Sequence, residues 1–184
     1  MTDNMKRYGL AGALIVHTAE VFATAAHAAI DQRRKWTGAP YIMHPESVVR
    51  IIQTVEWHTV DMVCAAWLHD VLEDTKVQAS DIDRFFGGTI GTMVYRLTDE
   101  PLETGNRPKR KAMDCQRLAE SSREVQTIKV ADLIDNTPSI VQHDPDFARV
   151  YLREKRDLLN VLTLADQGLV DRAWTLLREA EGGF

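Results

Sequence analysis

The stretch WLHDVLEDT, residues 67–75, sets His69, Asp70, Glu73 and Asp74 among Trp67, Leu68, Val71 and Leu72, at the end of a strongly apolar run that begins at Val60. A helix that is apolar around its circumference belongs in a protein interior. Carboxylates and imidazoles in such surroundings are costly unless something of opposite charge or matching polarity meets them. This run therefore demands a fold that wraps other elements around it and brings partners to its polar end.

No segment shows the two-residue alternation of a half-buried strand. The spacing predicts an Ala-rich first helix over 8–31, then a loop at RRKWTGAPY broken by Gly38 and Pro40. A second helix opens at HPESVVRII with Pro45 in its first turn, where proline is tolerated. A third runs from about Val60 to Glu73. Ser80 and Asp83 have the spacing of a capping box for a short fourth helix, which Gly87-Gly88 ends. Further helices are expected at about 89–98, 108–121, 123–135, 145–165 and 168–181, with Gly168 dividing the last two and DEPLETGNRP as a loop. The class is all-α, a bundle of about nine helices.

On a helix, residues three and four apart share a face. Glu73 follows His69 by four positions, and Asp74 follows Asp70 by four. His69 and Asp70 differ by about 100° around the axis, so one ion lying over the seam can reach both. In KVADLIDN, residues 129–136, Lys129, Asp132 and Asn136 form one stripe while Val130, Ala131, Leu133 and Ile134 supply packing. His44 stands in YIMHP, at a helix start behind a rigid turn. Taken singly, Asp132 reads as a surface acid paired with Lys129, and His44 as a cap. Together, His44, His69, Asp70 and Asp132 make two imidazoles and two carboxylates, a set that suits Mn, Fe, Co, Ni or Zn. Spacing does not establish that the three segments meet.

A chain of 184 residues is long enough for one domain with a real core, here 1–184. A net charge of −5 argues against a broad electrostatic grip on nucleic acid. Cys64 and Cys115 lie in no motif and read as reduced thiols of a cytoplasmic protein. The N-terminal helix is interrupted by His17 and Glu20 and lacks a cleavage site, so neither a signal peptide nor a membrane span is expected.

The stretches RRKWTGAPYIMHP, AAWLHDVLEDT, FFGGTIGTMVYRLTDE, KRKAMDCQRL and IKVADLIDN together resemble the HD-domain phosphohydrolases. Within that superfamily the likeness is to the hydrolase domains of RelA/SpoT alarmone enzymes and to small alarmone hydrolases of the Mesh1 type. The motifs fall in family order over about residues 20–140, followed by C-terminal helices at 145–181. The resemblance implies an all-helical HD fold holding one Mn²⁺ through His44, His69, Asp70 and Asp132. It implies that Glu73 and Asp74 serve the chemistry, and that the substrate is a nucleotide. The activity implied is removal of the 3′-pyrophosphate of guanosine tetra- or pentaphosphate. Another nucleotide phosphohydrolase, such as a nucleotidase or NADPH phosphatase, and a silent metal-binding module are the alternatives.

The family's basic pair falls on Arg34 and Lys35, with Arg33 beside them. Its Asn falls on Asn136 and its hydroxyl position on Ser139. Asp135 and Pro138 stand where the long enzymes commonly have a ring and an Arg. Phosphoryl transfer needs cations to offset charge on the transferred group, and Arg33, Arg34, Lys35 and Lys129 are the candidates. Arg offers a planar fork to phosphate oxygens and Lys a point charge. RPKRK, residues 107–111, reads as a solvated basic helix start.

Overall fold

The computed structural model describes residues 3–183. Among them are ten α-helices, one a single turn, and no β-strand. The chain forms two compact units, Met1–Thr98 and Asp99–Phe184.

The first unit contains α1 (Asp3–Ala28), α2 (Met43–Ile52), α3 (Val60–Leu68), α4 (Val71–Asp74), α5 (Ala79–Phe86) and α6 (Gly88–Leu97). The apolar run becomes α3, and α1, α2 and α6 all pack on it. Met62, Val63, Cys64, Ala65, Ala66 and Leu68 are fully buried, as an all-round apolar helix requires. Thr59 caps α3 by accepting from the Met62 N–H. The helix does not continue to Glu73 as its periodicity predicts. The His69 ring donates from Nδ1 to the Ala66 carbonyl at 2.8 Å. That carbonyl is the acceptor the Asp70 N–H would use in an unbroken helix, so the backbone turns at residues 69 and 70.

Helix α1 buries Val16, Ala19, Ala23 and His27, an i, i+3, i+4 stripe, and bends at Gly9, whose φ of 70° is non-helical. Its segment Met5–Ala28 is long and apolar enough to cross a membrane by length and composition. A methyl at Gly12 would sit 3.0 Å from Val60 Cγ2, so α1 lies close against α3. The capping box of α5 uses Gln78 and Asp81, not Ser80 and Asp83. The helix starts at Ala79, one residue before the expected cap, which moves the reciprocal acid to Asp81.

The second unit holds a 3-10 turn at Leu102–Thr104 within the expected loop, then α7 (Arg107–Ala119), α8 (Arg123–His143), α9 (Pro145–Val161) and α10 (Gln167–Gly182). Helices α8, α9 and α10 pack on one another, and α7 packs on α8 and α9. Helix α8 runs eight residues past the expected end at 135 and through Pro138. Buried Thr137 and Ile140 anchor that extension, so tertiary packing outweighs the proline. Helix α9 stops at Val161, because the next turn is stitched to α8: Gln126 Oε1 accepts from the Leu164 N–H and Thr127 Oγ1 from the Asp166 N–H. Gly168 lies inside the first turn of α10, not between helices.

Lys155 on α9 is 1 % exposed. Burial pushes its ammonium down to about 8. A lysine lowered on folding costs stability wherever it is charged in both states. Below about pH 8 the fold therefore carries the whole penalty, and between that pH and the ordinary lysine range stability rises as the folded state sheds its proton first. The difference is about 3 kcal/mol. The expected outcome is that chemical denaturation at pH 7 and pH 10, compared between the parent and Lys155→Met, shows this rise in the parent only. Equal pH dependence in both would contradict it.

Candidate functional site

In the first unit, His44 sits in the opening turn of α2 and is 2 % exposed, while His69 follows α3 and is 3 % exposed. Because a carbonyl can only accept, the His69 bond to Ala66 places a proton on Nδ1, and in the neutral ring Nε2 is then a lone pair. His69 Nε2 faces His44 Nε2 at 3.2 Å. Asp70 Oδ2 lies 3.1 Å from the first and 3.5 Å from the second. Two imidazole nitrogens and a carboxylate oxygen converging in this way repel unless a proton or a cation joins them. Their ligand atoms all lie within 4.8 Å of one another, and these three residues could hold a metal ion. The donor set suits a divalent transition ion.

The basic loop is tied to this cluster at both ends. The Tyr41 N–H donates to the Gln32 carbonyl, and an isolated antiparallel bridge joins Arg33 to Pro40. From one end Tyr41 Oη donates to Asp70 Oδ2 at 2.6 Å. From the other, Gln32 Nε2 donates to Asp74 Oδ2 at 2.8 Å, while Gln32 Oε1 accepts from His27 Nδ1 at 2.7 Å. Burial raises the Asp74 carboxyl, the Gln32 bond opposes that, and the nearby Asp70 charge adds to the rise. Glu73, on the same turn, is exposed. Arg33 spends its guanidinium on Asp31 at the surface, 2.8 Å away. Arg34 is half-buried, and Lys35 lies over the Trp36 ring, 4.8 Å from its centre.

In the second unit the stripe on α8 forms as its spacing predicts. Asp132 is buried, takes Lys129 Nζ at 3.0 Å on Oδ2, and accepts from Asn136 Nδ2 at 2.6 Å on Oδ1. Asp99 joins Lys129 at 3.8 Å and also pairs with Lys111. Burial alone would raise the Asp99 carboxyl, but Lys129 and Lys111 together hold it below its ordinary value. RPKRK is not a solvated start. Arg107 grips Glu154 with two bonds at 2.6 and 2.7 Å, and Lys111 also reaches Asp114 at 3.1 Å. Glu154 and Asp99 are remote in sequence, which hides their pairing from a local reading, whereas Asp114 lies one turn from Lys111 on the same helix.

A cavity of about 890 Å³ opens in this unit, and Lys129, Asp132, Asn136, Tyr151 and Lys155 contribute to its wall. That volume is in the range of small-molecule sites. Ser139 and Asp135 are not among its lining residues. Sequence spacing points to neither Lys155 in this cavity nor Gln32 and His27 beside the first unit's cluster, although α9 carries a signal for Lys155. Lys155 occupies the stripe that Ala148, Leu152, Leu159 and Leu162 fill with apolar groups. Gln32 and His27 gave no comparable signal, since their roles depend on where the loop folds.

The HD domain family profile matches residues 19–158. The chain is 36 % identical over 115 residues to the guanosine-3′,5′-bis(diphosphate) 3′-pyrophosphohydrolase MESH1 of Mus musculus, covering 61 % of this chain and 63 % of the relative. It is 34 % identical over 128 residues to the Homo sapiens protein of the same name, covering 68 % and 69 %. The chain thus spans about two thirds of these relatives' length. The solved structure of a metazoan ortholog of SpoT that hydrolyzes ppGpp aligns with a TM-score of 0.79 at 25 % identity, over 90 % of this chain and 94 % of that one. With the profile spanning both compact units and the paired His-Asp motif built as described, this chain belongs to the HD domain family.

Proposed function

We propose that the protein is a metal-dependent hydrolase that releases the 3′-pyrophosphate of guanosine tetra- or pentaphosphate, giving GDP or GTP and pyrophosphate. The observation that carries this reading is the convergence of His44 Nε2, His69 Nε2 and Asp70 Oδ2. The names borne by the MESH1 relatives support the substrate. His44, His69 and Asp70 hold the ion, with Asp132 as fourth ligand within a single 1–184 domain, and the ion is Mn²⁺. Such an ion, when bound, neutralises phosphoryl charge and acidifies water at neutral pH.

The chain's own groups do the rest. Tyr41 orients Asp70. Asp74, raised by burial and steered by Gln32, holds a proton for the leaving oxygen, while Glu73 orients the attacking water. Arg33, Arg34, Lys35 and Lys129 meet the phosphates, and Asn136 and Ser139 meet the remainder of the nucleotide. Both cysteines are free thiols, which supports a reducing cytoplasmic setting.

The test is a panel of guanosine tetraphosphate, NADPH and a nucleoside monophosphate, with kcat/KM measured on Mn²⁺-loaded protein. Guanosine tetraphosphate is expected to rank first, and NADPH or the monophosphate in first place would overturn the reading. Gln32→Leu tests the supporting network. It should lower kcat by about 10- to 100-fold with metal content unchanged, as loss of an orienting partner does. An unchanged kcat would remove Gln32 from the mechanism.

A further inference from the structure

We infer that Lys155 is a substrate-binding residue whose ammonium receives a phosphate oxyanion of the nucleotide inside the second unit's cavity, an assignment that rests on the nucleotide hydrolase reading above.

Lys155 lies in the cavity wall together with Asp132 and Asn136. The other lysines there already have carboxylate partners: Lys111 has Asp99 and Asp114, and Lys129 has Asp99 and Asp132. Lys155 is the most deeply buried of the three, and among the described residues no carboxylate pairs with it. Its polar contact is a 2.7 Å bond from Nζ to Thr137 Oγ1. Thr137 Oγ1 in turn donates to the Leu133 carbonyl at 2.5 Å, so its hydroxyl is set to accept from the lysine. Thr137 adjoins Asn136 on α8 and lies one turn beyond Leu133, so Lys155 is held beside the stripe that carries Asp132.

An ammonium has three donors, and Thr137 satisfies one. A buried charge with no counterion costs stability, and an apolar side chain of similar size removes that cost. A residue that weakens the fold in this way has a functional use when a ligand supplies the missing charge. A phosphate oxygen does so fully. The aromatic wall of Phe147 and Tyr151 leaves the same cavity apolar enough for that contact to stay strong.

The test uses metal-loaded protein and two probes, GDP and inorganic pyrophosphate, titrated calorimetrically into the parent and Lys155→Met. The expected result is a loss of affinity of about 10- to 100-fold for at least one probe, the usual size of a bond to a charged group. The same variant should show a higher Tm and unchanged bound metal. A lower Tm with unchanged affinity for both probes would make Lys155 a structural residue and overturn the inference. If Lys155→Met is insoluble, Lys155→Gln keeps a donor without the charge and carries the same expectation for affinity. Lys155→Arg, which keeps the charge, should retain more affinity than either. A parent that binds GDP through Lys155 yet leaves guanosine tetraphosphate intact would refute the proposed reaction and keep this assignment. A parent that hydrolyses it while Lys155→Met binds normally would do the reverse, and a parent that binds neither probe would overturn the inference.

Discussion

His69→Ala is expected to abolish both metal binding and turnover while leaving the helical content intact. Three features motivate this. The ring supplies a lone pair fixed by its bond to Ala66, it opposes His44 at 3.2 Å, and it adjoins Asp70 at 3.1 Å. Loss of a group that merely orients a ligand costs about 10- to 100-fold in affinity or activity, so loss of the ligand should exceed about 100-fold. The fold survives because α3 is anchored by fully buried apolar side chains from Met62 to Leu68, independently of the ring. Asp132→Ala should show the same paired loss if the α8 acid completes the set. Metal content by mass spectrometry, circular dichroism and steady-state kinetics decide the matter. A metal-free His69→Ala with parental turnover would remove the metal from the mechanism.

The second large effect concerns the acids one turn on. Glu73→Gln with Asp74→Asn should keep the metal and lower kcat by a factor on the order of 10² or more, the usual contribution of positioned acid–base groups. Asp74 is half-buried and takes a bond from Gln32 at 2.8 Å, whereas Glu73 is exposed. The single variants are therefore expected to differ, with Asp74→Asn the more damaging. Should metal content fall while activity per bound ion stays normal, the two acids support the ion and do no proton transfer.

Most of the helices were legible in the sequence, because apolar spacing reports which face a helix buries. The places where the reading slipped share a cause. At His69 a side-chain donor competes for the Ala66 carbonyl, and no periodicity encodes that competition. At Pro138 a helix continues because Thr137 and Ile140 are anchored by packing remote in sequence. RPKRK reads as solvated because two of its partners, Asp99 and Glu154, belong to other segments, although Asp114 lies one turn on along α7. The three-residue cluster of His44, His69 and Asp70 could be suspected from spacing and motif order, whereas the Gln32 and Tyr41 bonds depend on how a loop returns on itself. Lys155 could have been suspected as a charged residue on an apolar stripe.

The proposed hydrolysis breaks the bond between the 3′ oxygen and phosphorus of guanosine tetraphosphate. Phosphorus NMR of the Mn²⁺-loaded protein with that nucleotide in ¹⁸O-water reports which bond breaks. GDP and pyrophosphate are the expected products, with the heavy oxygen carried by the pyrophosphate. Orthophosphate as the released product, or heavy oxygen in the GDP, would contradict it.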